Sequence, residues 1–351
     1  MAIRMGILGF GGMGNWHADN APKVEGVEVV CVHDIDPARL ADARKRGLRA
    51  YERREDFLSD PDTNLVLIAT PNDLHRDLAI EALLAGKNVM CEKPVTLTLK
   101  ELDDVIKVSR ETGRLFTVHQ NRRWDRDYLV MRNVVESGAL GSVHTIESRL
   151  YGYKGYLYGW RARRASGGGM LLDWGVHMLD QFTFMYPYRK IRSVSARLHQ
   201  VFCEEVDDLF IVDMAFEGGP DVRVQIGTFG LIKPPRFFAC GDRGTLRIAD
   251  FGAREGEIVR LRYFDNESGR VITTTEAGPT RTMAPQPEEC VERLPLPEIT
   301  ENWTQLYRNL SDALEGKADL IVSPSSVRRT MQLIEAVRKS ARSGLTVSTD
   351  L

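Results

Sequence analysis

The lysine at position 93 is the first side chain in this sequence with an evident chemical use. The apolar segment Asn88–Cys91 has the length of a strand and is followed directly by Glu92-Lys93-Pro94. Proline cannot donate to a sheet ladder, so we predict that the strand ends there and presents the charged pair at its carboxyl end. In open α/β sheets, ligands bind at that end. Lys93 could therefore handle protons, or it could form an ion pair with Glu92.

A second candidate for acid–base chemistry is the pair Asp173 and His177, which follows the glycine run 167–169. If a helix follows the glycines, the two side chains are four residues apart and share one face. Histidine is the usual proton-transfer group near neutral pH, and a neighbouring carboxylate can orient it. The same spacing is also typical of a solvated helix face or of a satisfied buried pair, and both interpretations stay open at this point.

A glycine pattern near the N-terminus predicts a dinucleotide site. It matches G-x-G-x-x-G after a predicted strand and before a predicted helix, and its residues are Gly9, Phe10, Gly11, Gly12, Met13 and Gly14. The glycines would permit a tight turn, a close approach of the backbone to a pyrophosphate, and close helix–strand packing. The helix N-terminus would offer free N–H groups to the phosphates. A glycine-rich turn without a ligand is the alternative.

An acidic residue at the expected distance strengthens the dinucleotide interpretation. Asp34 comes twenty residues after Gly14, at the end of the second predicted strand. Its carboxylate could accept hydrogen bonds from the ribose hydroxyls and would repel a 2′-phosphate, which favours NAD over NADP. Asp36 competes for this role, but it precedes Pro37 and fits better as a helix N-cap. The first cation after these carboxylates is Arg39, so no adjacent cation is expected to favour NADP.

The remaining candidate contacts lie at other strand ends and beside the glycine run. Thr70, Pro71 and Asn72 follow the third predicted strand and could contact the cofactor, although a helix-starting turn is equally compatible. For the substrate we select Arg122 and Trp160, in addition to Asp173 and His177; an interdomain ion pair is the alternative for Arg122, and packing is the alternative for Trp160.

The first third of the chain alternates strand-like and helix-like segments, which is typical of βαβ units and a parallel sheet with helices on both faces. After about residue 121, apolar and polar residues alternate between Gly and Pro turns, which predicts a large, mainly antiparallel sheet. We expect a cofactor domain at 1–121 and a substrate-binding and oligomerisation domain at 122–351. Residues 276–300 are predicted to be a surface loop, and two helices at 303–314 and 327–342 close the chain, the second capped by Ser325.

Composition and charge exclude several classes of protein. The chain has 351 residues and a net charge of −2, so it presents no basic field for nucleic acid or for anionic lipid. Charged residues, glycines or prolines interrupt every apolar run before it reaches the length of a membrane span. The five cysteines are widely spaced and none forms a cluster with metal-ligand spacing, so we expect buried thiols, no metal and a cytoplasmic protein.

These motifs, in this order, resemble those of the Gfo/Idh/MocA family of glucose–fructose oxidoreductase and inositol dehydrogenase relatives. The Glu-Lys-Pro and Asp-x-x-x-His elements are specific, whereas the glycine pattern is not. The resemblance implies an N-terminal Rossmann domain with a doubly wound parallel sheet and a C-terminal α+β domain with a large open sheet. That sheet often mediates oligomerisation, so we expect a homodimer or a homotetramer. The resemblance also implies that Glu92 and Lys93 form part of the cofactor pocket. It further implies that Lys93, Asp173 and His177 meet over the nicotinamide ring, where Lys93 contacts the reacting hydroxyl.

We therefore predict an NAD(P)-dependent oxidoreductase that transfers a hydride between a nicotinamide and a secondary alcohol of a sugar, an inositol-like polyol or a sugar derivative. His177 would take the hydroxyl proton, Asp173 would orient it or bind a neighbouring hydroxyl, and Lys93 would stabilise the partial negative charge on oxygen. Two alternatives remain: an enzyme that retains its NAD and cleaves glycosides through a transient keto-sugar, and a non-catalytic dinucleotide sensor.

Overall fold

The computed structural model describes residues 3–264, 272–280 and 284–351. Within them, the chain forms a parallel six-stranded sheet with helices on both sides and a mainly antiparallel nine-stranded sheet with helices against one face. A short hairpin stands apart from both sheets. The predicted α/β architecture is confirmed.

The first sheet has the strand order β3-β2-β1-β4-β5-β6 and is parallel throughout. Its strands are β1 Ile3–Leu8, β2 Val27–His33, β3 Arg49–Tyr51, β4 Leu65–Ile68, β5 Asn88–Cys91 and β6 Phe116–Val118. The helices between them are α1 Gly12–Asn20, α2 Pro37–Lys45, α3 Arg54–Leu58, α4 His75–Leu84 and α5 Leu99–Thr112. Because β2 and β4 lie on opposite sides of β1, the strand order reverses at β1, and a crevice opens at the carboxyl ends.

Local sequence accounts for where these helices begin and end. The Asp36 side chain accepts a hydrogen bond from Ala38 N at 2.9 Å, as expected of an N-cap before Pro37. Helix α5 begins with a capping box in which the side chains of Thr98 and Glu101 satisfy each other's backbone N–H groups. It ends at Gly113, which has a φ of 65° that a glycine adopts at little cost.

The second sheet has the order β16-β13-β12-β11-β7-β10-β9-β8-β17, and only β7 and β10 run parallel. Its strands are β7 Val143–Tyr151, β8 Ile191–His199, β9 Leu209–Phe216, β10 Asp221–Gly227, β11 Phe237–Gly241, β12 Gly244–Ile248, β13 Gly256–Leu261, β16 Val291–Leu294 and β17 Val347–Ser348. The separate hairpin consists of β14 Thr273–Thr275 and β15 Gly278–Thr280. Every second residue of β9 is buried, which is the pattern of a sheet with one covered face.

Among the described residues, the later part of the chain forms four α-helices: α6 Arg126–Glu136, α7 Val176–Met185, α8 Thr304–Leu314 and α9 Pro324–Ser343. The buried apolar residues form two clusters, one around each sheet. Tyr307 of α8 and Val327 of α9 belong to the first cluster, although they lie far along the sequence. The C-terminal helices therefore pack against both sheets. No described helix is long and apolar enough to cross a membrane.

Two local predictions differ from the structure. Helix α9 is capped by Ser323, whose side chain accepts from Ser326 N, and not by Ser325, because Pro324 is already the first helical residue. The region 276–300 is not only a loop, since β15 and β16 lie within it; β16 pairs with β13, and such long-range pairing leaves little local signal. Residues 281–283 of that region lie outside the described residues.

Candidate active site

The glycine turn after β1 has a shape that suits a pyrophosphate. Gly9 has a φ of 95°, and a Cβ built there would stand 2.7 Å from the carbonyl oxygen of Ala69. A Cβ on Gly14 would stand 2.1 Å from the carbonyl oxygen of Gly9, so helix and strand pack too closely for any side chain. The equivalent space at Gly12 is open, with nothing within 4 Å. Helix α1 begins there without a side-chain cap, which leaves backbone N–H groups for an anion.

Asp34 closes this turn from the next strand. Its carboxylate accepts hydrogen bonds from Phe10 N at 2.7 Å and from Asp36 N at 2.9 Å, and the Arg39 guanidinium lies 3.2 Å from it. The prediction of no cation beside Asp34 is wrong, because one turn of α2 brings the Arg39 guanidinium back to it. Phe10 itself points into the core, whereas Met13 is exposed.

A cavity of about 450 Å³ lies beside Asp34, and Gly9, Thr70, Pro71 and Arg39 are among the residues that line it. The predicted cofactor residues from β1, β2 and β4 therefore share one cavity. Asn72 follows Thr70 and Pro71 but has another contact, because its side-chain amide donates to the carbonyl oxygen of Gly167 at 3.0 Å. It ties the first sheet to the glycine run that precedes Asp173.

Lys93 meets Asp173 across the crevice. Its Nζ lies 2.9 Å from Asp173 Oδ1 and 2.8 Å from the Asp173 carbonyl oxygen. The alternative of an ion pair with Glu92 is not what the structure shows. The other carboxylate oxygen of Asp173 lies 3.4 Å from Nε of Arg161, whose guanidinium in turn lies 4.3 Å from the centre of the Trp160 ring. Trp160 thus contacts Arg161, which in turn contacts Asp173. Arg161 was not among the residues predicted from the sequence.

The segment that carries Asp173 and His177 is helical but not regular. A π-helical turn, Leu171–Gly175, leads into α7, and the Asp207 carboxylate accepts from Leu171 N at 2.7 Å where it begins. His177 Nδ1 lies 2.9 Å from Oε1 of Gln120. Asp173 binds Lys93 and Arg161, and Gln120 is the partner of the imidazole. Of the two roles predicted for Asp173, the orientation of His177 is therefore wrong for this structure, and the binding of a neighbouring hydroxyl stays a prediction.

His177 is buried, with 3% of its surface exposed. Burial lowers the pKa of His177 well below its usual range, and the positive charges of Lys93 and Arg122 lower it further. The imidazole is consequently neutral near pH 7 and has a lone pair with which to accept a proton.

Glu92 lies in a buried polar cluster behind Lys93. Its Oε1 is 2.8 Å from His17 Nε2 and 2.9 Å from His119 Nδ1, and its Oε2 accepts from the backbone N–H of Lys93. His17 also contacts the hydroxyl of Tyr307. Burial alone would raise the pKa of Glu92, but the hydrogen bonds and charge of the two histidines hold it well below its usual range. Burial lowers the pKa of His17 to about 4.

This His17, Glu92 and His119 cluster is the one grouping with metal-ligand spacing among the described residues. All three side chains already use their converging atoms to hydrogen-bond one another. Both carboxylate oxygens of Glu92 are likewise engaged, and its contact with a cofactor stays a prediction. The sequence did not predict the cluster, because His17, His119 and Tyr307 come from three distant segments.

Arg122 stands beside Trp174, where its guanidinium lies 4.2 Å from the ring centre, and 2.9 Å from the Asp125 carboxylate. Its Nε is buried and has no hydrogen-bond partner in the described residues. The neighbouring Arg123 makes a buried ion pair with Asp180, which lies in the same predicted domain. The ion pair that Arg122 itself forms, with Asp125, is also within that domain, so an interdomain ion pair of Arg122 is not found among the described residues, and its contact with substrate stays a prediction.

The fold and the crevice define a dinucleotide-binding oxidoreductase: a Rossmann sheet with a pyrophosphate-shaped glycine turn, joined to a second domain that brings Asp173 and His177 to the strand ends. Comparison with known proteins agrees. A model of the oxidoreductase family with an NAD-binding Rossmann fold, GFO_IDH_MocA, matches residues 3–120, and the C-terminal domain model of the same family matches residues 128–247. The chain belongs to the Gfo/Idh/MocA family of oxidoreductases.

Three similar proteins illustrate the relationship. The crystal structure of an NAD-binding protein from Listeria innocua is 39% identical, covers 99% of this chain and 100% of its own, and superposes with a TM-score of 0.95. Myo-inositol 2-dehydrogenase of Thermotoga maritima is 28% identical over 79% of each chain. Scyllo-inositol 2-dehydrogenase (NADP(+)) IolW of Bacillus subtilis is 23% identical over 98% of this chain and 95% of its own.

Proposed function

We propose that this protein is an NAD(P)-dependent dehydrogenase that oxidises a secondary alcohol of a sugar, of an inositol-like polyol or of a sugar derivative. The observation that carries the proposal is the pairing of Lys93 with Asp173 beside a buried, neutral His177, at the carboxyl ends of β5 and β6. Relatives named as inositol dehydrogenases support this substrate class. A family member without catalytic activity would not need this arrangement of proton-handling groups.

Lys93, His177 and Asp173 have different roles in the proposed oxidation. Two of the three N–H groups of the Lys93 ammonium go to Asp173, so the third can donate to the reacting hydroxyl oxygen and stabilise its growing negative charge. His177 accepts the hydroxyl proton at Nε2, because Nδ1 faces Gln120. A bound nicotinamide would supply the acceptor for the hydride that leaves the carbon, while the C=O bond forms and the hydroxyl proton passes to His177. Asp173 fixes Lys93 and can bind a neighbouring hydroxyl.

We propose NAD as the preferred cofactor, held by the glycine turn 9–14, by the Thr70-Pro71 loop and by Asp34. The ribose pocket contains the guanidinium of Arg39, but two carboxylates, those of Asp34 and Asp36, lie 3.2 Å and 3.6 Å from it. A 2′-phosphate would therefore meet two negative charges and one positive charge. Ribose hydroxyls, in contrast, would find a carboxylate acceptor.

We also propose a cofactor domain at 1–121 and a substrate and oligomerisation domain at 122–351. Helix α8 and the start of α9, although late in the sequence, pack against the cofactor domain. The face of the nine-stranded sheet not covered by helices is proposed as the contact of a homodimer or homotetramer. Light scattering on the purified protein would measure the mass, and a monomer would contradict this assembly.

The function is tested with a panel of sugars, inositols and other polyols, each assayed with NAD and with NADP by the absorbance of the reduced nicotinamide. We expect alcohol-dependent reduction with at least one member, in an amount equal to the alcohol consumed. Turnover of a glycoside without net NADH would favour the enzyme that retains its NAD. If the protein binds NAD but reduces it with no alcohol of the panel, the dehydrogenase proposal fails.

A further inference from the structure

The side-chain amide of Gln120 contacts two consecutive residues, Val176 and His177, that lie more than fifty positions further along the chain. Its Oε1 is 2.9 Å from His177 Nδ1, and its Nε2 donates to the carbonyl oxygen of Val176 at 3.2 Å. Both Gln120 and His177 are 3% exposed. Water therefore does not compete for these two hydrogen bonds, and an unmade bond would be costly.

The carbonyl oxygen of Val176 decides which way the amide faces. A carbonyl oxygen only accepts hydrogen bonds, so the NH₂ group of Gln120 must face Val176 and its oxygen must face the imidazole. That oxygen in turn requires a proton on Nδ1 of His177. The other ring nitrogen, Nε2, then has the lone pair, and it has no hydrogen-bond partner among the residues that the structure describes.

We infer that Gln120 is a positioning residue that, anchored by the Val176 carbonyl, holds the neutral imidazole of His177 in its Nδ1–H tautomer and leaves Nε2 as the proton acceptor. The catalytic meaning rests on the proposed function, whereas the tautomer belongs to the resting protein. A reversed amide would donate to Nδ1 and place the proton on Nε2, and the base would be lost. The bond to Gln120 survives proton uptake at Nε2, because Nδ1–H donates in both states.

The neutrality of Gln120 matters because several charged groups already face His177. Lys93 and Arg122 lower its pKa and so does His119, while the carboxylate of Glu92 raises it. Asp173, one turn earlier in the same helical segment, is paired with Lys93. An amide orients the imidazole without adding a charge. A carboxylate at position 120 would add a negative charge in direct contact and favour the imidazolium.

The tautomer is tested without substrate. The protein with ¹⁵N-labelled histidine is examined by two-dimensional NMR near pH 7, and the His177 ring signals are identified by their loss in His177→Gln. We expect the Nδ1–H pattern in the wild type and a mixture or the Nε2–H pattern in Gln120→Met, which keeps the volume but makes neither bond. An Nε2–H pattern in the wild type, or an unchanged pattern in Gln120→Met, would overturn the inference.

Kinetic measurements test whether turnover falls when Gln120 no longer orients His177. Gln200→Met, on the exposed surface, is the control. Gln120→Met should lower kcat by about 10-fold to 100-fold with little change in the Kd for NADH, as is typical when the orientation of a functional imidazole is lost. Gln120→Glu should move the acidic limb of the kcat/KM profile up by about one pH unit or more. A fall in melting temperature with an unmoved pH profile in Gln120→Glu would assign Gln120 a purely structural role and refute the inference. If no substrate is found, the NMR result still decides the tautomer.

Discussion

The ammonium of Lys93 is bound twice by Asp173, once through the side chain at 2.9 Å and once through the backbone carbonyl at 2.8 Å, although 80 residues separate them in sequence. The first residue follows β5 of the cofactor-binding sheet and the second lies in the π-helical turn before α7. This double contact holds Lys93 and the helical segment that carries Asp173 in a fixed relation. It also leaves one N–H group of Lys93 for a ligand.

Removal of either proton-handling group should abolish most of the turnover. We expect Lys93→Ala and His177→Ala each to lower kcat on the order of 10²-fold or more, because each loses a group that stabilises or accepts charge in the transition state. Steady-state kinetics with the best substrate of the panel measure the effect. Lys100→Ala and His144→Ala, at exposed positions, serve as controls. Near-normal turnover in both active-site variants would remove these residues from the mechanism.

The choice of cofactor should depend on the charge of Asp34. In Asp34→Asn the side chain can still accept from Phe10 N, but the negative charge facing a 2′-phosphate is gone, so we expect the ratio of NADPH to NADH affinity to rise about tenfold. Fluorescence titration without sugar measures both Kd values. Arg39→Ala should have the opposite effect and weaken NADPH more than NADH. Asp42→Asn, on the exposed side of α2, is the control. A wild-type protein that binds NADPH far more tightly than NADH would contradict the preference for NAD.

Acid should destabilise the fold through His17. Its pKa is about 4 when folded and 6.5 when unfolded, so between these values the unfolded chain binds more protons, and stability falls as the pH falls. The full effect is on the order of 3 kcal/mol and is complete below about pH 4. Glu92, whose pKa is also lowered, adds a loss below pH 4.5. Denaturation at a series of pH values measures this dependence, and His17→Gln should flatten it between pH 6.5 and 4. An equal slope in that variant would exclude His17 as the cause.

The buried ion pair between Arg123 and Asp180 should be essential for stability. The two side chains are each 1% exposed, and Arg123 also donates to the carbonyl oxygen of Ile321 before α9. Asp180→Ala leaves the guanidinium buried without its partner, which typically costs about 3–5 kcal/mol. The exposed pair of Arg192 and Glu217 is the control, and Glu217→Gln should cost less than about 1 kcal/mol. Urea denaturation measures the free energy of unfolding of each variant. Equal losses in Asp180→Ala and Glu217→Gln would show that Asp180 has no special role.

Local patterns in the sequence were sufficient for most of the first sheet and for the ends of its helices. Asp36 before Pro37 predicted a cap, and the alternation of strand and helix lengths predicted the parallel sheet, since both signals act within a few residues. Strands β13 and β16, at one end of the second sheet, and the hairpin of β14 and β15 were not predicted. β16 pairs with β13 across a long stretch of sequence, so its own composition carries little signal, and each strand of the hairpin has only three residues.

For the site, the sequence by itself determined which side chains are available: a glycine turn, an acidic residue after β2, a lysine at a strand end and an aspartate–histidine pair. Only the tertiary structure decided which of them touch. In it, Lys93 binds Asp173 and not Glu92, and the Arg39 guanidinium contacts Asp34. The partner of His177 is Gln120 and not Asp173. The physical reason is that the hydrogen-bond partner of a buried side chain depends on which donors and acceptors distant segments bring beside it, away from water. The spacing of residues along the chain does not specify these tertiary contacts.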